Sequence, residues 1–270
     1  MRTTACLVSV ALLLAACAST EAPSRLGSVP EIRPGLLDGY LPLQKLPDSL
    51  ALLPPPPAPG SAGFAHDEAI RRDVLARRDA ARIDRAREDA DQTFPNAAAA
   101  FACALGVTIS EREAPYLYLI LRRTLADAGG ATLRAKRHYQ RQRPFVVHQD
   151  AVCTPHQQAA MAREGSYPSG HSSSGWAWAL ILTELAPDRA ELILARGLSY
   201  GDSRSVCNAH WASDIQAGRL VGAAAVARLH AEPTFRADLK LAHEELRALR
   251  AAGRAAPAGC AAQAATAGRP

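Results

Sequence analysis

No apolar run in this sequence reaches the roughly 18 to 20 residues that a membrane-spanning helix needs, and the longest candidate lies at the extreme N-terminus. There is no C-x-x-C pair and no cysteine–histidine spacing typical of a zinc site, so the cysteines do not read as a metal framework. No segment alternates apolar and polar residues as a strand would, and no internal repeat is present. Lysine is scarce: Lys45, Lys136 and Lys240 are the only three among 31 basic residues. What is there excludes a disordered chain. With 270 residues, 48% hydrophobic and 21% charged, a sizeable core can form. The net charge of +5 does not amount to a nucleic-acid footprint, because the basic residues are interleaved with acids. Residues 71–87 (RRDVLARRDAARIDRAR) read as a solvated helix of mixed sign, and no nucleic-acid partner is expected.

Residues 1–16 have the build of a secretory signal: Arg2, an apolar stretch from Ala5 to Ala16, then small residues. The ending Leu14-Ala15-Ala16-Cys17 resembles a bacterial lipobox, which would make a lipidated Cys17 the first mature residue. Ordinary cleavage after one of the small residues is the alternative. Both put the mature protein outside the cytoplasm, in the periplasm or anchored through Cys17 to the outer membrane, or else secreted. Four cysteines then remain, Cys103, Cys153, Cys207 and Cys260. In an oxidising compartment they suggest two disulfides with three possible pairings.

The expected architecture is all-α, a single helical bundle carrying a proline-rich extended N-terminal arm. Residues 17–64 include Pro54 to Pro57 in succession and read as an extended arm or tether. The bundle spans 65–252. Helices are expected over 69–90, 94–105, 114–128 (stopped by Gly129-Gly130), 131–143, 172–185, 189–200, 214–230 and 234–252. Residues 253–270 read as a low-complexity tail that frays.

Three segments carry chemistry. In the first, Lys136 and Arg143 stand seven apart before Pro144; on a helix they would share one face, two turns apart, and suit a multi-oxygen anion. Taken alone this is more simply a solvated basic face, but a lysine is not what this composition supplies. In the second, Gly165-Ser166-Tyr167-Pro168-Ser169-Gly170-His171 leads into the apolar helix at Ser172. Free N–H groups at a helix start form an anion site, Ser169 adds a hydroxyl, and His171 exchanges a proton near neutral pH. A plain capped helix start is the bland alternative. In the third, Arg204 precedes His210 and Asp214, which stand four apart. A carboxylate on one imidazole nitrogen leaves the other with a free lone pair, which makes a nucleophile or base. The bland alternative is a surface ion pair.

Together the segments supply three cations, an N-terminal nest, two histidines and an orienting carboxylate, an inventory for phosphoryl transfer without a metal. Their order, K-x6-R-P, P-S-G-H, S-R-x5-H-x3-D, resembles the signature of the type 2 phosphatidic acid phosphatase and vanadium haloperoxidase superfamily. The heptad 165–171, Leu41 with the proline cluster, the chain length and the signal segment look like the bacterial class A nonspecific acid phosphatases, over about Leu37 to Leu249. Ser172 stands where that family has threonine.

The resemblance implies an acid phosphatase of broad range acting on phosphate monoesters, with no cofactor, no metal and a homodimeric state. It implies that Lys136, Arg143 and Arg204 hold the phosphate oxygens with the Ser169 and Gly170 backbone and the Ser169 hydroxyl. His210, oriented by Asp214, would attack phosphorus, while His171 protonates the leaving alcohol and then activates water. Transfer to an acceptor alcohol is a further possibility in the same chemistry, and Tyr116, Tyr118 and Tyr167 are candidate pocket walls. A vanadium haloperoxidase uses the same segments in longer chains, and a membrane lipid phosphatase needs spanning helices. A non-catalytic phosphate-binding lipoprotein would not need the histidine pair with Asp214.

Overall fold

The computed structural model describes residues 29–260 together with Leu26; the signal segment, Cys17 and residues 261–270 lie outside the described residues. The chain is all-α apart from one short antiparallel hairpin, β1 (Glu31–Arg33) with β2 (Leu36–Leu37). Thirteen helices follow among the described residues. They are α1 (Ser49–Leu52), α2 (Ala62–Arg77), α3 (Ala80–Ala90), α4 (Asn96–Ala99), α5 (Ala102–Leu105), α6 (Pro115–Ala131) and α7 (Leu133–Tyr139), then α8 (Pro144–Val147), α9 (Pro155–Met161), α10 (Gly170–Leu185), α11 (Ala190–Val206), α12 (Ala212–Leu229) and α13 (Pro233–Ala251).

The apolar helix α10 is the axis of the bundle, packed against α6, α11 and α12. Its Trp178 is fully buried and donates its indole N–H to the Leu121 carbonyl at 3.0 Å. Phe94, Phe101 and Tyr200 meet the Trp178 ring edge-on, an aromatic cluster at the centre of the core. Trp176 packs against the same core.

Four local expectations give way to packing. The helix expected over 69–90 is two, broken where Asp79 caps α3 by accepting the Arg82 N–H at 2.7 Å. The 94–105 stretch is likewise two short helices. Gly129-Gly130 does not stop α6, which runs through to Ala131. A β-carbon on Gly130 would lie 2.8 Å from Leu46 Cδ1, so the bare residue gives the N-terminal arm room to seat on the helix. The helix expected over 131–143 ends at Tyr139, where Gln140 takes a left-handed φ of 43°. Lys136 and Arg143 therefore do not share a helix face: the first is on α7 and the second caps α8.

The described part of the arm, from residue 29 on, packs on the bundle. Among its described residues the proline run, 54–57, carries no regular secondary structure. Upstream of it the chain lies on α6, with Asp127 accepting the N–H groups of Tyr40 and Leu41 at 2.9 and 3.0 Å and Arg123 donating to the carbonyls of Asp38 and Gly39. At the other end the tail is fixed as far as Cys260, which is bonded to Cys103; the second disulfide joins Cys153 to Cys207. The Cys103–Cys260 bridge spans 157 residues, so replacing both cysteines by serine is expected to cost about 2–4 kcal/mol. A lowered thermal midpoint would report it; an unchanged midpoint would contradict it.

Candidate active site

Main-chain hydrogen bonds join the three chemical segments. The Ser166 N–H donates to the Arg141 carbonyl at 2.7 Å, and the Ser169 N–H to the Asp214 carbonyl at 2.9 Å. Arg143 donates to the Ala209 carbonyl at 3.1 Å. Gly165 permits the first of these contacts, since a β-carbon there would lie 2.6 Å from the Lys136 carbonyl. Lys136, Arg143, Arg204, Gly170, His171 and His210 thereby line one cleft of about 1120 Å³.

Lys136 donates from Nζ to the Gly165 carbonyl at 2.7 Å. Arg143 is 4% exposed and donates to the Met161 carbonyl and, at 2.9 Å, to Nε2 of His210. Arg204 is equally buried; its Nη2 reaches the Met161 sulfur, while Nε and Nη1 have no hydrogen-bond partner. None of these three cations pairs with a carboxylate among the described residues. The contrast with neighbouring buried arginines is sharp: Arg196 is held by Asp89, and Arg141 by both Asp67 and Asp214. Burial and mutual repulsion follow. Burial, with Arg143 beside it, brings Lys136 down to about 7, and burial together with Arg143 brings Arg204 down to about 10.

His210 is buried at the entrance to α12, and its Nδ1 lies 3.3 Å from Asp214 Oδ2. The pair forms as expected, but not on a helix face: His210 precedes the helix and Asp214 sits in its first turn, where it also accepts the Trp211 N–H at 2.9 Å. Burial and the three cations hold His210 well below the usual imidazole range, so the ring is neutral. Because Arg143 donates to Nε2, that nitrogen carries the lone pair and the ring proton is on Nδ1. His171 lies stacked on Tyr200 at 4.6 Å. Its Nε2 is buried with no partner, and burial with Arg204 nearby lowers its pKa strongly as well.

The Ser169 hydroxyl caps α10 by accepting the Ser172 N–H at 3.2 Å, and its own N–H is taken by Asp214. The nest is therefore reduced to the Gly170 end and the hydroxyl. Tyr116, Tyr118 and Tyr167 do not line the cleft; Tyr118 is in the core and Tyr167 bonds the Pro54 carbonyl. The opposite wall comes instead from the arm, with Leu36, Leu41, Leu43 and Leu46. Residues that sequence reasoning left without a role are Ser166, Arg141 and Asp67. Two of them lie inside the quoted segments. Asp67 on α2 carries no local signal.

Three cations without a carboxylate partner among the described residues, Arg143 and Arg204 buried and Lys136 partly so, gather around a neutral imidazole, an arrangement suited to an oxyanion. The PAP2 superfamily model matches residues 114–236, which span all three segments. The chain is 42% identical over 212 residues to a non-specific acid phosphatase of Providencia stuartii, covering 78% of this chain and 86% of that one. It is 40% identical over 199 residues to an acid phosphatase of Zymomonas mobilis, covering 74% and 75%. A non-specific acid phosphatase of Salmonella typhimurium is 38% identical over 195 residues, covering 72% and 78%. The chain belongs to the PAP2 superfamily and, within it, to the group of bacterial non-specific acid phosphatases.

Proposed function

We propose that the protein is an exported acid phosphatase that hydrolyses phosphate monoesters through a phosphohistidine at His210. The observation that carries this reading is that Lys136, Arg143 and Arg204 have no carboxylate partner among the described residues. Buried charge of one sign is held at a cost, and a phosphate dianion relieves it. His210 Nε2 forms the N–P bond as the ester P–O bond breaks, and His171 delivers its proton to the departing alkoxide. Water then attacks phosphorus, gives its proton to His171, and the N–P bond breaks. The bound dianion raises the pKa of His171, which makes that donor role available in the complex. The three cations supply the transition-state charge stabilisation that a metal would otherwise give, so turnover is expected to survive a chelator. Two disulfides support an oxidising destination, in line with a signal segment and lipid attachment at Cys17. Transfer to an acceptor alcohol would follow wherever the alcohol displaces water at the second step.

The pH dependence has a definite sign. Lys136, at about 7 in the free enzyme, is charged below that pH and loses its charge above it. Capture of an anionic substrate, read as kcat/KM, is therefore expected to fall as pH rises through about 7. The test is p-nitrophenyl phosphate hydrolysis from pH 4 to 8 with a chelator present. An acidic optimum that resists the chelator supports the reading; no turnover, or turnover abolished by the chelator, opposes it. In Lys136→Arg the ratio of kcat/KM at pH 8 to that at pH 6 should rise. An unchanged ratio would remove Lys136 as the source of the alkaline limb.

A further inference from the structure

Between His210 and Asp214 stands a group that an imidazole–carboxylate pair does not require. The Ser166 hydroxyl, fully buried, donates to Asp214 Oδ2 at 2.5 Å and lies 3.2 Å from His210 Nδ1, nearer than the carboxylate itself. A hydroxyl has one proton. With that proton given to Asp214, Ser166 Oγ accepts from the ring. The other carboxylate oxygen is equally constrained: Asp214 Oδ1 accepts Arg141 Nη1 at 2.6 Å, and Arg141 Nη2 donates to Asp67 Oδ2 at 2.7 Å. Asp67 also accepts the Ser213 N–H and hydroxyl at 2.9 and 2.6 Å, which anchors it to the first turn of α12. A continuous chain runs from Asp67 through Arg141, Asp214 and Ser166 to His210, reaching from α2 to the ring.

We propose that Ser166 is a positioning residue for His210, relaying the Asp214 charge to Nδ1, and that Arg141 clamped by Asp67 fixes the carboxylate for that task. The inference rests on the reading of His210 as nucleophile. Its physical content is a tautomer lock. The Nδ1 proton is held by Ser166 and Asp214, so the lone pair stays on Nε2, facing phosphorus. When Nε2 is phosphorylated, the ring becomes cationic and the same chain stabilises it without any proton having to move. Ser166 does not line the cleft, so its loss should leave phosphate binding intact.

The test compares Ser166→Ala, Asp67→Asn and His210→Ala with wild type in kcat, inhibition by inorganic phosphate, and thermal midpoint. For Ser166→Ala, kcat is expected to fall about tenfold while the phosphate inhibition constant stays within about twofold and the midpoint is unchanged. Asp67→Asn, acting three links further away, should lose several-fold in kcat with the same inhibition constant. Full kcat in Ser166→Ala beside an inactive His210→Ala would overturn the relay and leave the nucleophile standing. Parallel losses of kcat, phosphate affinity and midpoint would assign Ser166 a structural role only, which also overturns it. Activity surviving in His210→Ala would defeat the underlying mechanism instead.

Discussion

His210→Ala is expected to lower kcat by on the order of a thousand-fold or more, because it removes the group assigned to form the covalent bond. Lys136, Arg143 and Arg204 remain in that variant, so inorganic phosphate should still bind and inhibit any residual turnover. Binding should in fact persist with comparable strength, since the ring is neutral and contributes no charge. The expected signature is thus a collapse of kcat with phosphate affinity retained, read by steady-state kinetics and by the shift in thermal midpoint that phosphate produces. A variant that hydrolyses p-nitrophenyl phosphate at near the wild-type rate would contradict the assignment.

Arg204→Met is expected to separate activity from stability in the opposite direction. The guanidinium is buried with two nitrogens unpartnered among the described residues and the like charge of Arg143 nearby, so it is expected to destabilise the empty fold. An apolar side chain of similar length should stabilise the phosphate-free protein by about 1–3 kcal/mol. At an effective dielectric near 20, a charge pair at about 4 Å is worth roughly 4 kcal/mol. The same substitution should therefore reduce kcat/KM by about two to three orders of magnitude. Midpoints measured with and without phosphate should show the variant more stable without it and less responsive to it. A variant that loses stability in phosphate-free buffer would mean that Arg204 is a structural arginine like Arg196, whose buried charge is met by Asp89.

The chemistry of the site was more legible in the sequence than its geometry. Lys136, Arg143, His171, Arg204 and His210 are all found around one cleft, because each lies in a short segment whose spacing carries its own signal. Helical periodicity misplaced how they get there. Lys136 and Arg143 meet across a left-handed turn at Gln140, which nothing local announces, since the residue is not glycine and the constraint comes from Gly165 packed against the turn. Gly129-Gly130 read as a stop because propensity is local, whereas the close approach of Leu46 that the pair accommodates is tertiary. The arm was legible only in its proline run; its docking depends on Asp127, nearly ninety positions away. Asp67 illustrates the same limit. A carboxylate on a surface-like helix of mixed charge takes on meaning only when folding brings Arg141 and Ser213 to it.

The claim at the centre of this account is a covalent bond between His210 Nε2 and phosphorus. Wild-type enzyme turning over a radiolabelled phosphate monoester, quenched in base and digested, should carry label on the peptide containing His210. That label should survive alkali and be released by acid, as a phosphoramidate is. Label on a serine or carboxylate peptide, or none in a rapid quench during steady turnover, would contradict it.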